Sequence, residues 1–257
     1  MFEDFKIRNS LVGPAFFDHI YNLGDDYGQF WTDFNTGCNR ASIFNPVTYR
    51  GILDEIFTGE TVFAPVMGWN SYQQAFYNSN FKHFISTDVI PNVVENSHRI
   101  HDCYSDIFSF DTKKTIDVYL CPSEKLNERY DFINKYKNTV DAVLFSPPYF
   151  DLEIYPGEEQ SINSFSDYNE WLEKYWRQTV LLCKDVMKPG AKFGFVISNY
   201  RNHNKIDTNI SHDMKSIVMK ELKYLNHYDI KWSSMGGSRL AHKQRKGNFE
   251  DLWLFTK

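Results

Sequence analysis

Residues 146–149 read Ser-Pro-Pro-Tyr and follow directly on the hydrophobic run Ala142-Val143-Leu144-Phe145. Two consecutive prolines fix φ twice and remove two N–H donors, so the turn they make is rigid and leaves its carbonyls as outward acceptors. A hydroxyl on Ser146, a fixed carbonyl on Pro147 and the ring of Tyr149 together make a pocket for a planar group that carries an NH2. A strand end followed by a proline-favoured turn has the same composition. Asp151 and Glu153 follow closely and suit either the mouth of such a pocket or an exposed loop.

Other chemistries lack their residues. No G-x-S-x-G or G-x-x-x-x-G-K run occurs. Cys38, Cys103, Cys121 and Cys183 lie far apart with no C-x-x-C pair and no histidines at ligand spacing, so no metal site is expected and the thiols read as reduced and buried. His98, His101 and Asp102 fall on an expected helix and read as surface residues.

The elements that must position residues 146–149 alternate. Short β-rich runs occur at Thr61 to Ala64, Phe84 to Thr87, Ile116 to Leu120 and Ala142 to Phe145, with segments long enough for helices between them. That alternation predicts parallel strands with helical crossovers, and in such sheets ligands bind beyond the carboxyl ends of the strands. A short amphipathic helix is expected from about Pro46 to Phe57, ended by Gly59. A long one, capped by Ser166 or Asp167, carries apolar residues at three- and four-residue steps to Val186 and stops at Lys188-Pro189-Gly190. A strand at Lys192 to Ser198, a helix at His212 to Leu225 and an antiparallel edge hairpin of Tyr228 to Trp232 and Asp251 to Phe255 complete the expectation. With no repeat or linker, residues 41–257 read as one domain behind an irregular extension over residues 1–40.

The run Ser146-Pro147-Pro148-Tyr149 resembles the motif of S-adenosylmethionine-dependent amino-group DNA methyltransferases acting on cytosine N4 or adenine N6, in which Asp, Asn or Ser precedes Pro-Pro and Tyr or Phe. All four positions match. The resemblance implies a Rossmann-like α/β fold, mostly parallel with an antiparallel C-terminal hairpin and helices on both faces. It implies that Ser146 and the Pro147 carbonyl accept hydrogen bonds from the exocyclic amine of a flipped base, that Pro148 completes the turn, and that Tyr149 stacks on the base. It also implies S-adenosylmethionine as cofactor, with a loop containing Ala64, Pro65, Gly68 and Trp69 at its methionine end and Asp88 with Val89 at the ribose.

Ser123 and Glu124, after the third strand, take the family's adenine-contacting position, and Asn45 and Pro46 resemble the segment that touches the methionine end. Asp88, Ser123 and Asn45-Pro46 also suit helix starts. The loop departs from the family in having Ala64 and Pro65 where an acid is usual and one glycine instead of two, although Asn70 is a residue type that tolerates left-handed backbone. The series spans roughly residues 44–200, and a hairpin such as Lys246 to Leu254 resembles the end of small phage-type members. A serine at the motif's first position implies cytosine N4 ahead of adenine N6.

A net charge of −5 argues against coating nucleic acid by bulk electrostatics. The basic cluster Arg239, His242, Lys243, Arg245 and Lys246, flanked by Gly236, Gly237 and Gly247, reads either as a cationic loop that meets phosphates or as a solvated hairpin tip. The N-terminus has no basic flank before an apolar stretch, and no run approaches the roughly 20 apolar residues of a membrane span. The expectation is a cytoplasmic protein whose partner is DNA rather than RNA or membrane. The chain ends just after the final strand, with no separate target-recognition domain, so site reading falls to loops, to a homodimer or to a specificity partner. Two rival classes remain: a non-catalytic nucleic-acid-binding subunit with a degenerate fold, and a methyltransferase for RNA or a protein side-chain amide.

Overall fold

Helix α1 (Pro46–Ile56) starts where the sequence places a cap and a proline. The Asn45 side chain accepts the Val47 N–H at 2.8 Å, and Pro46 occupies a first-turn position that needs no donor. The computed structural model describes residues 44–107, 114–152, 161–165, 167–200, 208–231 and 249–257. The expected extension over residues 1–40, Glu153 and the cluster Arg239, Lys243, Arg245 and Lys246 lie outside the described residues.

From α1 the chain enters β1 (Thr61–Ala64), α2 (Ser71–Tyr77), β2 (His83–Asp88), α3 (Pro91–Ile107) and β3 (Thr115–Leu120). Two single-turn helices, α4 (Leu126–Tyr130) and α5 (Phe132–Tyr136), lead into β4 (Val140–Phe145). After α6 (Ser161–Ser164) comes a long helix built from α7 (Tyr168–Trp171), a π turn (Leu172–Trp176) and α8 (Arg177–Val186), then β5 (Met187–Ile197), α9 (Ile210–Glu221), β6 (Lys223–Lys231) and β7 (Phe249–Thr256). The seven strands form one sheet in the order β3-β2-β1-β4-β5-β7-β6, parallel except for β7, which runs antiparallel to both its neighbours. The expected fold class is therefore the observed one.

The strand order fixes where a ligand can enter. From β1 the chain winds outward through β2 to β3, then returns to lay β4 on the other side of β1, in register Val62↔Ala142 and Phe63↔Val143. Beyond the carboxyl ends of β1 and β4 the connections leave in opposite directions, and this is the crevice that open α/β sheets use for binding. The inner parallel strands β1, β2 and β4 are buried on both faces, with Phe63, Phe84, Val143 and Phe145 inaccessible to water, whereas the edge strand β3 is half-exposed.

Where local pattern and tertiary pairing compete, pairing decides. Leu222 to Leu225 were expected to continue α9, but that helix ends at Glu221 and Lys223 and Tyr224 pair with Thr256 and Phe255 of β7. Strand β5 likewise runs through Pro189-Gly190 instead of starting after it. Asp167, the expected cap of the long helix, accepts the N–H groups of Asn169 and Glu170, each at 2.9 Å. The π turn within that helix has no counterpart in the expected 3.6-residue pattern. Of the thiols expected to be buried, Cys121 and Cys183 are, whereas Cys103 is exposed on α3.

At the opposite, amino-terminal edge of the sheet Asp141 clamps β1 to β4. Its carboxylate accepts the Glu60 and Thr61 N–H groups at 2.9 and 3.0 Å and pairs with Lys188 at 2.5 Å. Burial alone would raise its pKa, but Lys188 and the two N–H groups outweigh it and hold the carboxyl below its ordinary value of 3.8. A lowered carboxyl pKa stabilises the fold above the unfolded value, and this contribution is lost as pH falls through the folded one. Asp141→Ala, which strands two N–H donors, is expected to cost about 1–3 kcal/mol. Urea unfolding at pH 7 and pH 3 checks both statements: the gap between wild type and variant should narrow at the lower pH.

Candidate active site

Three residues in succession leave β1 in left-handed conformation: Gly68, Trp69 and Asn70 at φ of 51°, 56° and 65°. A second glycine is missing from this turn, and Asn70 takes the left-handed position instead. Its side chain amide donates to the Val93 carbonyl at 3.0 Å and its N–H to Met67 O at 3.0 Å, which ties the turn to α3. Gly68 has no substitute. A Cβ built there would lie 2.5 Å from Cζ of Tyr72, so the Tyr72 ring packs directly against the turn.

Residues 146–149 leave the neighbouring strand end. The Ser146 N–H donates to the Tyr72 hydroxyl at 3.0 Å, and the Tyr72 ring stacks on Tyr49 with centroids 4.5 Å apart. Tyr49 in turn donates to the Leu144 carbonyl at 2.7 Å. Two tyrosines from α1 and α2 thus carry the turn after β1 and the turn after β4 on one stack. Ser146 and Pro148 are half-buried, and Pro147 and Tyr149 are buried.

Tyr149 is 3% exposed. Its hydroxyl is 3.0 Å from Ser198 Oγ and accepts the Ser198 N–H at 3.1 Å, while its ring meets Tyr200 edge-on at 5.5 Å. Tyr200 donates its hydroxyl to Asp151, so Asp151 is bound to the end of β5 and is half-buried there. The sequence suggested only a ring for Tyr149. The structure gives its hydroxyl two contacts, both with Ser198 just past the end of β5.

No protein-family model and no curated protein matches the sequence. Among solved structures, a geranyl diphosphate methyltransferase in complex with SAM is 12% identical over 91% of this chain and 93% of its own, with a TM-score of 0.51. A SAM-dependent methyltransferase from Methanosarcina mazei is 8% identical over 84% and 99%, at 0.51. The cyclase SpnF is 10% identical over 82% and 81%, also at 0.51. The fold is that of the Rossmann-like methyltransferases. Such likeness establishes architecture, and the cyclase shows that chemistry has to be argued from the site.

In this methyltransferase fold the other expected positions divide. Asp88, the last residue of β2, accepts the Ile90 N–H at 3.0 Å, and the N–H groups of Met67 and Val89 also lie against it. Burial outweighs these donors and pushes its pKa up to about 6. Asp88 therefore joins the turn at Met67 to the end of β2. Ala64 and Pro65 are buried, and the Ala64 carbonyl accepts from Ser86 at 2.7 Å. Ser123 opens a single turn after β3, but its hydroxyl lies 2.8 Å from Thr179 in the interior, with Glu124 half-buried beside it. Asn45 is exposed and its side chain caps α1.

Three groups at this edge escaped the sequence reading. Tyr72 and Tyr49 sit on helices as apolar-pattern residues. Glu250, the second residue of β7, is 3% exposed and near enough to Tyr72 to raise its pKa. On the wall formed by the long helix, Trp171 Nε1 is buried with no hydrogen-bond partner, and the Tyr175 hydroxyl is buried near Glu124 and within hydrogen-bonding reach of Ser123. Buried donors without acceptors are uncommon in folded proteins. His98, His101 and Asp102 lie on α3 away from this edge, and the Tyr77 hydroxyl meets His101 Nδ1 at 2.7 Å. Among the described residues no helix is long and apolar enough to cross a membrane.

Proposed function

We propose that this chain is an S-adenosylmethionine-dependent methyltransferase that modifies the exocyclic amino group of a flipped DNA base, cytosine N4 ahead of adenine N6, in the cytoplasm. One observation carries the reading. At the switch point of the sheet, the glycine turn after β1 and the Ser-Pro-Pro-Tyr turn after β4 touch the same tyrosine, Tyr72. If the first turn holds the methyl donor and the second accepts the amine, their shared contact with Tyr72 supports transfer between them.

The residues present fit the cofactor. Asp88 offers a half-buried carboxylate at the end of β2 for ribose hydroxyls, and Val89 adjoins it. The turn from Gly68 to Asn70 carries no charged side chain, so backbone groups and Trp69 form the methionine end, together with Ala64 and Pro65. The Tyr175 hydroxyl, buried near Ser123 and Glu124, adds a polar group at the end of β3 that suits a bound heterocycle. S-Adenosylmethionine supplies an electrophilic methyl group.

The chain's own residues handle the amine. An exocyclic amine is a poor nucleophile because its lone pair is delocalised into the ring. Hydrogen bonds from it to Ser146 Oγ and the Pro147 carbonyl favour a pyramidal nitrogen, and positioning does the remainder. Pro148 keeps the turn rigid and Tyr149 supplies an aromatic wall for a base taken out of the duplex. The positive residues Arg239, Lys243, Arg245 and Lys246 are proposed to meet DNA phosphates.

Asp88 makes a pH prediction. Its carboxyl is ionised above about 6 and neutral below, and the ionised form is the stronger acceptor for ribose hydroxyls. Cofactor affinity should therefore weaken as pH falls through about 6, and Asp88→Ala should lose about 1–3 kcal/mol of binding at pH 8. Calorimetric titration of both proteins at pH 5 and pH 8 reads this. A wild-type affinity independent of pH, together with an unaffected variant, removes Asp88 from the site.

Incubating the purified chain with methyl-labelled S-adenosylmethionine and, separately, duplex DNA, RNA and a protein mixture tests the function itself. Label in DNA supports the reading. Label confined to RNA or protein moves the substrate class, and absence of cofactor binding leaves the non-catalytic alternative.

A further inference from the structure

Tyr72 is buried, and each part of its side chain is committed to a different element of the site. The ring face stacks on Tyr49 at 4.5 Å with an interplanar angle of 16°. The far end of the ring is what leaves no room for a Cβ on Gly68. The hydroxyl takes the N–H of Ser146, a residue 74 positions along the chain. The hydrogen bond and the packing contact act through one rigid six-membered ring, so a movement of the glycine turn is transmitted to the Ser146 backbone without an intervening rotatable bond.

We infer that Tyr72 is a positioning residue that couples the turn after β1 to the turn after β4 and so sets the separation between the cofactor and the target amine. It does not touch the reacting atoms. It is not a base either: burial, and next the charges of Glu250, Tyr149 and Asp88, opposed only by the Ser146 N–H, hold its hydroxyl well above the ordinary value of 10, protonated at any working pH. The inference rests on the proposed methyl transfer for its catalytic consequence and on geometry alone for the coupling.

Tyr72→Phe separates the two contacts, because the ring keeps its stack on Tyr49 and its packing on Gly68 while the acceptor for Ser146 N–H disappears. The first readout is hydrogen exchange of the peptide containing Ser146, with and without S-adenosylmethionine. In wild type the cofactor should slow exchange there; in Tyr72→Phe the basal exchange should rise about tenfold or more and the response to cofactor should vanish. The second readout is steady-state kinetics. A misplaced acceptor should lower kcat by about tenfold to a hundredfold, with KM and Kd for the cofactor within about threefold of wild type, a split expected of a lost transition-state alignment.

Tyr49→Phe serves as the comparison. It removes a hydroxyl of equal burial from the same stack, but one that bonds Leu144 O upstream of the motif. Equal losses in both variants, or unchanged Ser146 exchange in Tyr72→Phe, overturn the inference in favour of plain core packing. If wild type transfers no methyl group to any nucleic acid, the functional reading fails, and the exchange result still decides the coupling.

Discussion

Tyr149→Ala is expected to lose roughly a hundredfold or more in kcat/KM on DNA while still binding S-adenosylmethionine. Base–aromatic stacking is worth about 1–3 kcal/mol, and the structure adds a second loss, because the Tyr149 hydroxyl is the acceptor for the buried Ser198 N–H and adjoins its Oγ. Removing the ring also opens a cavity beside Tyr200, where large-to-small changes typically cost about 3–5 kcal/mol of stability. Tyr149→Phe keeps the ring and the cavity filled but strands the Ser198 N–H, so it should cost about 1–3 kcal/mol of stability and retain substantial activity. The urea midpoint, cofactor affinity and kcat/KM of both variants separate these effects. If Tyr149→Ala is folded and fully active, residues 146–149 are a structural turn and nothing more.

Gly68→Ala carries the other large effect. At φ of 51° an L-residue is strained by roughly 1–2 kcal/mol, and the new Cβ would be driven to 2.5 Å from the Tyr72 ring, an overpacking that typically adds about 1–3 kcal/mol. Neither partner can yield cheaply, because Tyr72 is held by Tyr49 on one side and by Ser146 on the other. The expected outcome is a loss of roughly 2–5 kcal/mol in stability and of more than about tenfold in cofactor affinity. Gly190→Ala is the control. It shares a positive φ of 80° but meets nothing within 4 Å, so it should show the strain alone and leave cofactor binding untouched. Equal behaviour of the two variants would mean that the contact between Gly68 and Tyr72 is unimportant.

These residues mark where the sequence was legible and where it was not. Strands β1 to β4 are each a short β-rich run bounded by breakers, so they and the turn at Ser146 could be located from local pattern. Asp88 stands out because a carboxylate ends an apolar run. The left-handed turn was legible only in part: Gly68 announces it, and Asn70 substitutes for the missing glycine because its side chain tolerates that backbone.

Tyr72, Tyr49 and Glu250 were invisible for a different reason. A tyrosine in a helix with apolar neighbours reads as core, and its second function depends on a partner far along the chain. Glu250 lies in an edge hairpin, where an acid reads as solvated. The start of β6 at Lys223 was missed because Tyr224, Leu225 and Tyr228 satisfy helical and strand periodicity alike, and only the ladder with Phe255 and Thr256 decides between them. The acceptor roles of Ser146 and Pro147 and the contacts of Ser123 and Glu124 come from resemblance, and the Ser123 hydroxyl is engaged with Thr179 in the interior.

The central claim is methyl transfer to the amino group of a DNA base. Its most direct test is to digest to nucleosides the DNA of cells expressing wild type or Tyr149→Ala and to quantify methylated nucleosides by mass. The account predicts N4-methylcytosine in wild-type DNA and its near absence with the variant. N6-methyladenine in its place would keep the amine chemistry and overturn the choice of base. Neither nucleoside above the level of cells lacking the protein, with the chain folded and S-adenosylmethionine available, would contradict the account.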